Sequence, residues 1–124
     1  MTNKLEKLPN EPIVILSYVD YNYETDGSPV MAQLEKVLDE QSEPVFYIIN
    51  VLEARVNFED LTRAANLAAK QFNIHHHPNM RESLIVTQDQ MVRLGAKGMD
   101  SEVYGKITFK IFETVDEALA YARS

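Results

Sequence analysis

The chain has 124 residues, 45% of them hydrophobic and 25% charged, enough to bury one core and too few for two independent ones. Twelve Lys and Arg against nineteen Asp and Glu give a net charge of −7, which repels nucleic acid, so no nucleic-acid partner is expected. Cysteine is absent, excluding disulfide frameworks, iron–sulfur clusters, thiolate metal sites and Cys-nucleophile chemistry.

The opening segment, 1–12, is polar, with Lys4, Glu6, Lys7 and Glu11, and lacks the apolar core of a secretory signal. Lys4 to Leu8 is expected to form a brief extra strand, folded back on the next by the Pro9-Asn10-Glu11-Pro12 turn. Ile13 to Val19 (IVILSYV) is a mainly apolar run rich in β-branched residues and bounded by Pro12 and the polar stretch Asp20 to Gly27, which predicts a buried strand. Ser28 reads as an N-cap with Pro29 at the first helical position, and Val30, Met31, Leu34, Val37 and Leu38 recur along one helical face.

Val45 to Asn50 (VFYIIN) is apolar on both faces and predicts a central strand covered from two sides. Asn57 reads as the cap of a further helix whose inner stripe is Phe58, Leu61, Ala64, Ala65, Ala68 and Phe72. Leu84 to Val86 predicts a short strand, and Thr87 with Gln90 a reciprocal capping pair opening a helix that ends at Gly98. Ile107, Phe109 and Ile111 alternate with Thr108 and Lys110, the pattern of a half-exposed edge strand. Thr114 with Glu117 repeats the capping box, and Val115, Ala118, Leu119 and Ala122 face inward on the last helix.

Strand followed by helix, four times over, predicts an α/β fold: one domain spanning 1–124 with a mostly parallel sheet of four to five strands and right-handed crossovers. No run is apolar over a bilayer's width, so no membrane span is expected and the cytoplasm is the expected location.

Two stretches, VFYIINVLEARVNFEDL (Val45 to Leu61) and FKIFETVDEALAYAR (Phe109 to Arg123), carry a resemblance to the anti-sigma-factor antagonist superfamily, the STAS or SpoIIAA-like fold. The resemblance implies a switch that binds a partner kinase or regulator without catalysis. In that family a Ser in an Asp-Ser motif, opening the helix after the central strand, takes the controlling phosphate. This chain has Asn57, Phe58, Glu59 and Asp60 there, with no Ser or Thr between Asn50 and Leu61. The phosphate switch is therefore not carried over.

The loop holding Asp20, Tyr21 and Tyr23 follows the first predicted long strand, at the carboxyl ends where open α/β sheets place their sites. Tyrosines there offer rigid, amphipathic contact area; the alternative is a solvated loop packed back on its neighbours. Asn50, Glu53 and Arg55 follow the central strand and bring an amide, a carboxylate and a guanidinium to the same end. Such a set binds a ligand or, more often, forms a surface ion-pair network.

His75, His76 and His77 invite a metal reading, but consecutive side chains of an extended segment cannot converge on one ion, and the chain has no other histidine. A structural or solvated loop is expected, with no metal. The four glycines are scattered and form no phosphate loop or dinucleotide fingerprint, no G-x-S-x-G elbow occurs, and no cofactor is expected.

The expectation is a non-catalytic regulatory or protein-interaction domain using its carboxyl-end loops, with an unidentified protein partner and a two-fold homodimer through the edge strand. The alternative is a carrier of a small apolar ligand, with Phe46, Phe58, Met31 or Phe72 lining a pocket. An enzyme acting through Asp20, Glu53 and Arg55 comes third.

Overall fold

The computed structural model describes residues 4–19, 28–54, 59, 62, 63, 66, 74–100 and 107–124. Strand β1 (Lys4–Lys7) runs antiparallel to β2 (Ile13–Ser17), with Lys7 opposite Val14 and Lys4 opposite Ser17. The turn between them closes through Asn10 at φ 61°. Asn tolerates this left-handed conformation better than most residues.

Helix α1 (Ser28–Asp39) leads to β3 (Val45–Asn50), and β4 (Met80–Val86) follows after a 3₁₀ turn at Ile74–His76. Helix α2 (Gln90–Gly98), β5 (Phe109–Phe112) and α3 (Val115–Arg123) complete the described elements. The sheet order is β1-β2-β3-β4-β5, with every pair from β2 onward parallel. The predicted α/β class, the mostly parallel sheet and the antiparallel first pair are all present. Glu59, Thr62, Arg63 and Asn66 are helical, while Asn57, Phe58 and the rest of the predicted alanine stripe lie outside the described residues.

The core lies on both faces of the sheet. On one, Met31, Leu34 and Leu38 of α1 pack with Val14, Leu16, Val45 and Tyr47, and Val92 and Ala96 of α2 pack on Ile85. The connections containing α1 and α2 both step across the sheet in the same direction, and connections of one hand then lie on one face. Helix α3 follows the last strand and is free of that constraint. It covers the other face, with Ala118 and Ala122 against Ile13, Ile15, Phe46, Ile48, Leu84 and Val86. Residues Val45 to Ile48 are all buried, as the unbroken apolar run predicts for a strand covered twice.

Phe46 belongs to the α3 face and Met31 to the α1 face, each inside a packed cluster. They cannot line one pocket, so the apolar-carrier alternative loses its basis; Phe58 and Phe72 lie outside the described residues.

Several boundaries differ from expectation. Strand β4 starts at Met80 rather than Leu84, because its ladder with β3 runs from Met80 opposite Val45 through the polar residues Glu82 and Ser83. Strand β2 stops at Ser17, two residues early. Ile107 is buried but outside β5: its N–H donates to Met99 O (2.9 Å), closing the chain after α2. Helix α2 is capped by Asp89, whose carboxylate accepts from Met91 N (2.8 Å), and not by Thr87 with Gln90. Thr87 still belongs to the sheet, donating its N–H to Phe112 O (2.9 Å), and its buried hydroxyl accepts from Asp89 N (3.0 Å). Gly98 is the last helical residue, and Met99 forms the C-cap in right-handed geometry. The Thr114 cap is as predicted: its Oγ1 accepts from Glu117 N (3.1 Å) and donates to Glu117 Oε1 (3.2 Å).

Candidate functional site

Asn50 ends the central strand opposite Ser17 on one side and Val86 on the other. Its Nδ2 donates to Ser17 Oγ (3.4 Å), and its Oδ1 accepts from Leu52 N (3.2 Å). Its carbonyl accepts from Tyr18 N (2.9 Å). One amide side chain thus ties the end of β2 to the loop after β3. The turn closes with Ala54 N donating to Val51 O (3.2 Å) and presents exposed Glu53 beside Leu52, which is 38% exposed.

The same end holds the starts of α2 and α3. Gln88 Nε2 donates to Glu113 O (3.1 Å), joining the loop after β4 to the loop after β5. Arg93 lies 4.0 Å from the Glu113 carboxylate. Asp89 caps α2, while α3 carries Thr114 as cap and Asp116 and Glu117 in its first turn. Acidic side chains at helix N-termini complement the dipole, so these polar groups serve the loops that hold them. The exposed product is a polar, acidic rim with Leu52 in it.

Asn50 and Glu53, both predicted site residues, share this turn. Asp20, Tyr21, Tyr23 and Arg55 lie outside the described residues. Sequence reasoning missed Ser17, Leu52, Asp89 and Glu113. Ser17 breaks the apolar run of β2, which is a readable cue; nothing local marks Glu113, whose contacts come from the loop after β4 and from α2, which only folding brings alongside.

At the opposite end, His77 Nε2 lies 2.7 Å from Asp39 Oδ1, and His77 Nδ1 accepts from Asn79 N (3.0 Å). Asn79 Nδ2 donates to Leu38 O (2.8 Å) and Gln41 O (3.0 Å), holding the end of α1. Among the described residues no His, Asp and Glu cluster suits a metal, and His77 has a structural role. Arg123 forks onto Glu11 (2.7 and 3.1 Å), and that hydrogen bond, with the guanidinium charge, holds the Glu11 carboxyl below its ordinary value. Tyr121 donates to Glu82 Oε1 (2.6 Å), and this bond, then burial, raises its phenol above the usual range.

The fold has counterparts among solved structures. An uncharacterised DUF3478-family protein from Shewanella loihica PV-4, described as having a SpoIIAA-like fold, matches with a TM-score of 0.60 at 16% identity, over 98% of this chain and 92% of the other. The chain has a SpoIIAA-like fold. An anti-sigma factor antagonist from Mycobacterium paratuberculosis matches with a TM-score of 0.59 at 15% identity, over 99% of this chain and 94% of the other. No protein-family model matches the chain, and no curated protein matches it. Of the four residues at the start of the helix after β3 in this SpoIIAA-like frame, Glu59 is described: it is exposed and paired with Arg63 one turn on (2.7 Å). No helix among the described residues is long and apolar enough to cross a membrane.

Proposed function

We propose that the chain is a non-catalytic regulatory domain of the STAS type that works by binding a protein partner through its carboxyl-end loops. The observation that carries this reading is the near full-length likeness in fold to a protein named as an anti-sigma factor antagonist. The exposed Leu52–Glu53 turn, held by Asn50, supports the choice of end. It offers an apolar contact inside a polar rim, the usual anatomy of a modest protein interface. The acidic rim fits a partner with basic residues around an apolar spot. A homodimer through the β5 edge belongs to the same proposal, as does a cytoplasmic location.

The test compares the wild-type chain with Leu52→Glu on an affinity column. A protein retained by the first and lost by the second, with binding weakened by roughly tenfold or more in calorimetry, supports the reading. Equal binding by a folded Leu52→Glu variant moves the contact elsewhere and defeats it.

A further inference from the structure

Strands β3 and β4 both enter the sheet at the end opposite the acidic rim, and one short segment joins them there to α1. Val45 N, at the start of β3, donates to Asn79 O (2.8 Å), and Met80 N, at the start of β4, donates to His77 O (2.9 Å). The Asn79 side chain clasps the last carbonyls of α1 through Leu38 O and the following Gln41 O. His77 N donates to Ile74 O (3.1 Å), and Ile74 is fully buried against α1. Asn79 is thus the joint of three elements, and the His77 ring holds its backbone N–H (3.0 Å).

A backbone N–H can only donate, so Nδ1 of His77 must carry the lone pair, and the ring proton sits on Nε2 towards Asp39 Oδ1 (2.7 Å). Nδ1 is then the one place a second proton can go. Once it arrives, two N–H groups face each other across the His77–Asn79 contact, and neither can accept. The Asp39 contact changes the other way, from a hydrogen bond of a neutral ring to one assisted by full charge. Protonation therefore keeps the ring on α1 and breaks it from Asn79.

Among the described residues Asp39 is the ring's one ion-pair partner. On β4 the first charged side chain, Arg81, is turned to Phe46 on the α3 face, and β3 opens with apolar Val45. Glu40 and Glu43, in the connection after α1, and His76, beside the ring in sequence, are exposed. The His77 side chain is 15% exposed, sheltered but open enough to exchange a proton with water.

We propose that His77 is an acid-sensitive latch: protonation at Nδ1 releases the Asn79 N–H and loosens the joint between α1 and the starts of β3 and β4. The device goes beyond a structural histidine, because it makes local opening at this end of the sheet depend on pH, independently of any partner at the rim.

The test follows the ring protons of His77 and the amides of Asn79 and Val45 by NMR in the full chain, across roughly pH 5 to 8, where histidines titrate. The Asn79 and Val45 amides are expected to shift with the same midpoint as the His77 ring. Exchange of the Asn79 amide, corrected for its intrinsic pH dependence, is expected to speed up by roughly tenfold on the acid side. His77→Gln removes this dependence and His76→Gln leaves it in place. Asp39→Asn, which takes away the carboxylate that favours the charged ring, moves the shared midpoint to lower pH. Should His77→Gln fail to fold, Asp39→Asn decides, since an unmoved Asn79 midpoint overturns the proposal. An Asn79 amide that ignores the His77 titration, or a pH dependence that survives in His77→Gln, also overturns it.

Discussion

His77 holds two elements at once, because Nδ1 accepts from the Asn79 N–H and so leaves the ring proton on Nε2 to face Asp39. Asn79 in turn satisfies two carbonyls at the end of α1, a place where helices leave acceptors without partners. His77→Ala and Asn79→Ala are each expected to cost about 1–2 kcal/mol in urea unfolding with an unchanged slope. A metal role predicts something different, a melting temperature that drops on adding chelator, and no such drop is expected here. At the Arg123 pair the folded Glu11 pKa is depressed from 4.5. The associated stability is present above that value and lost as pH falls through the lower folded one. Arg123→Gln should move the Glu11 titration, followed by carboxyl NMR, back up towards 4.5, and should flatten the loss of stability below it. An unchanged Glu11 titration would show that the fork is not what lowers it.

Among the elements, α2 and α3 illustrate how similar capping signals resolve differently. Both Thr87-x-x-Gln90 and Thr114-x-x-Glu117 carry the pattern, yet only the second caps a helix, because Thr87 is still bound into the sheet through Phe112. Asp89→Ala and Thr114→Ala should each cost about 1 kcal/mol, with Gln90→Ala near zero. Equal losses at Gln90 and Asp89 would restore the capping-box reading for α2. Burial also narrows the positions open to phosphate control: Thr87 is 1% exposed, whereas Thr114 is exposed at the start of α3. Incubation with candidate kinases, read by mass spectrometry, is expected to leave 50–61 unmodified, since no hydroxyl side chain lies between Asn50 and Leu61. Stoichiometric phosphate on Thr114 would place control at a different helix start.

At the scale of the whole molecule, the sheet formed by the described residues has two edges, β1 and β5. Alternation along β5 puts Phe109 and Ile111 on the α2 cluster and Phe112 on the α3 cluster, with Lys110 exposed. Phe109 is therefore a core-side residue, and Phe109→Glu should destabilise the fold rather than report on pairing. The proposed two-fold contact uses the β5 backbone edge, with Lys110 guarding against open-ended growth. Light scattering across a dilution series is expected to show twice the chain mass at high micromolar concentration. A mass that stays at one chain removes the dimer.

Hydrophobic periodicity by itself determined which segments of β2, β3, α1 and α3 are buried, because a strand covered on two faces and an amphipathic helix leave local signatures in residue order. The antiparallel hairpin was legible from its turn residues, and the position of β3 at the middle of the sheet from its unbroken apolar run. Of the candidate site, Asn50 and Glu53 were legible as residues that follow the central strand. That Asn50 spends its amide on Ser17 and Leu52 was not, since those partners depend on parallel register. The tertiary structure alone decided that α3 covers the second face, that β4 begins with polar residues and a bulge, and that Arg81 stands over Phe46. Each of these depends on contacts between segments far apart in the chain, where local propensity is silent and packing chooses.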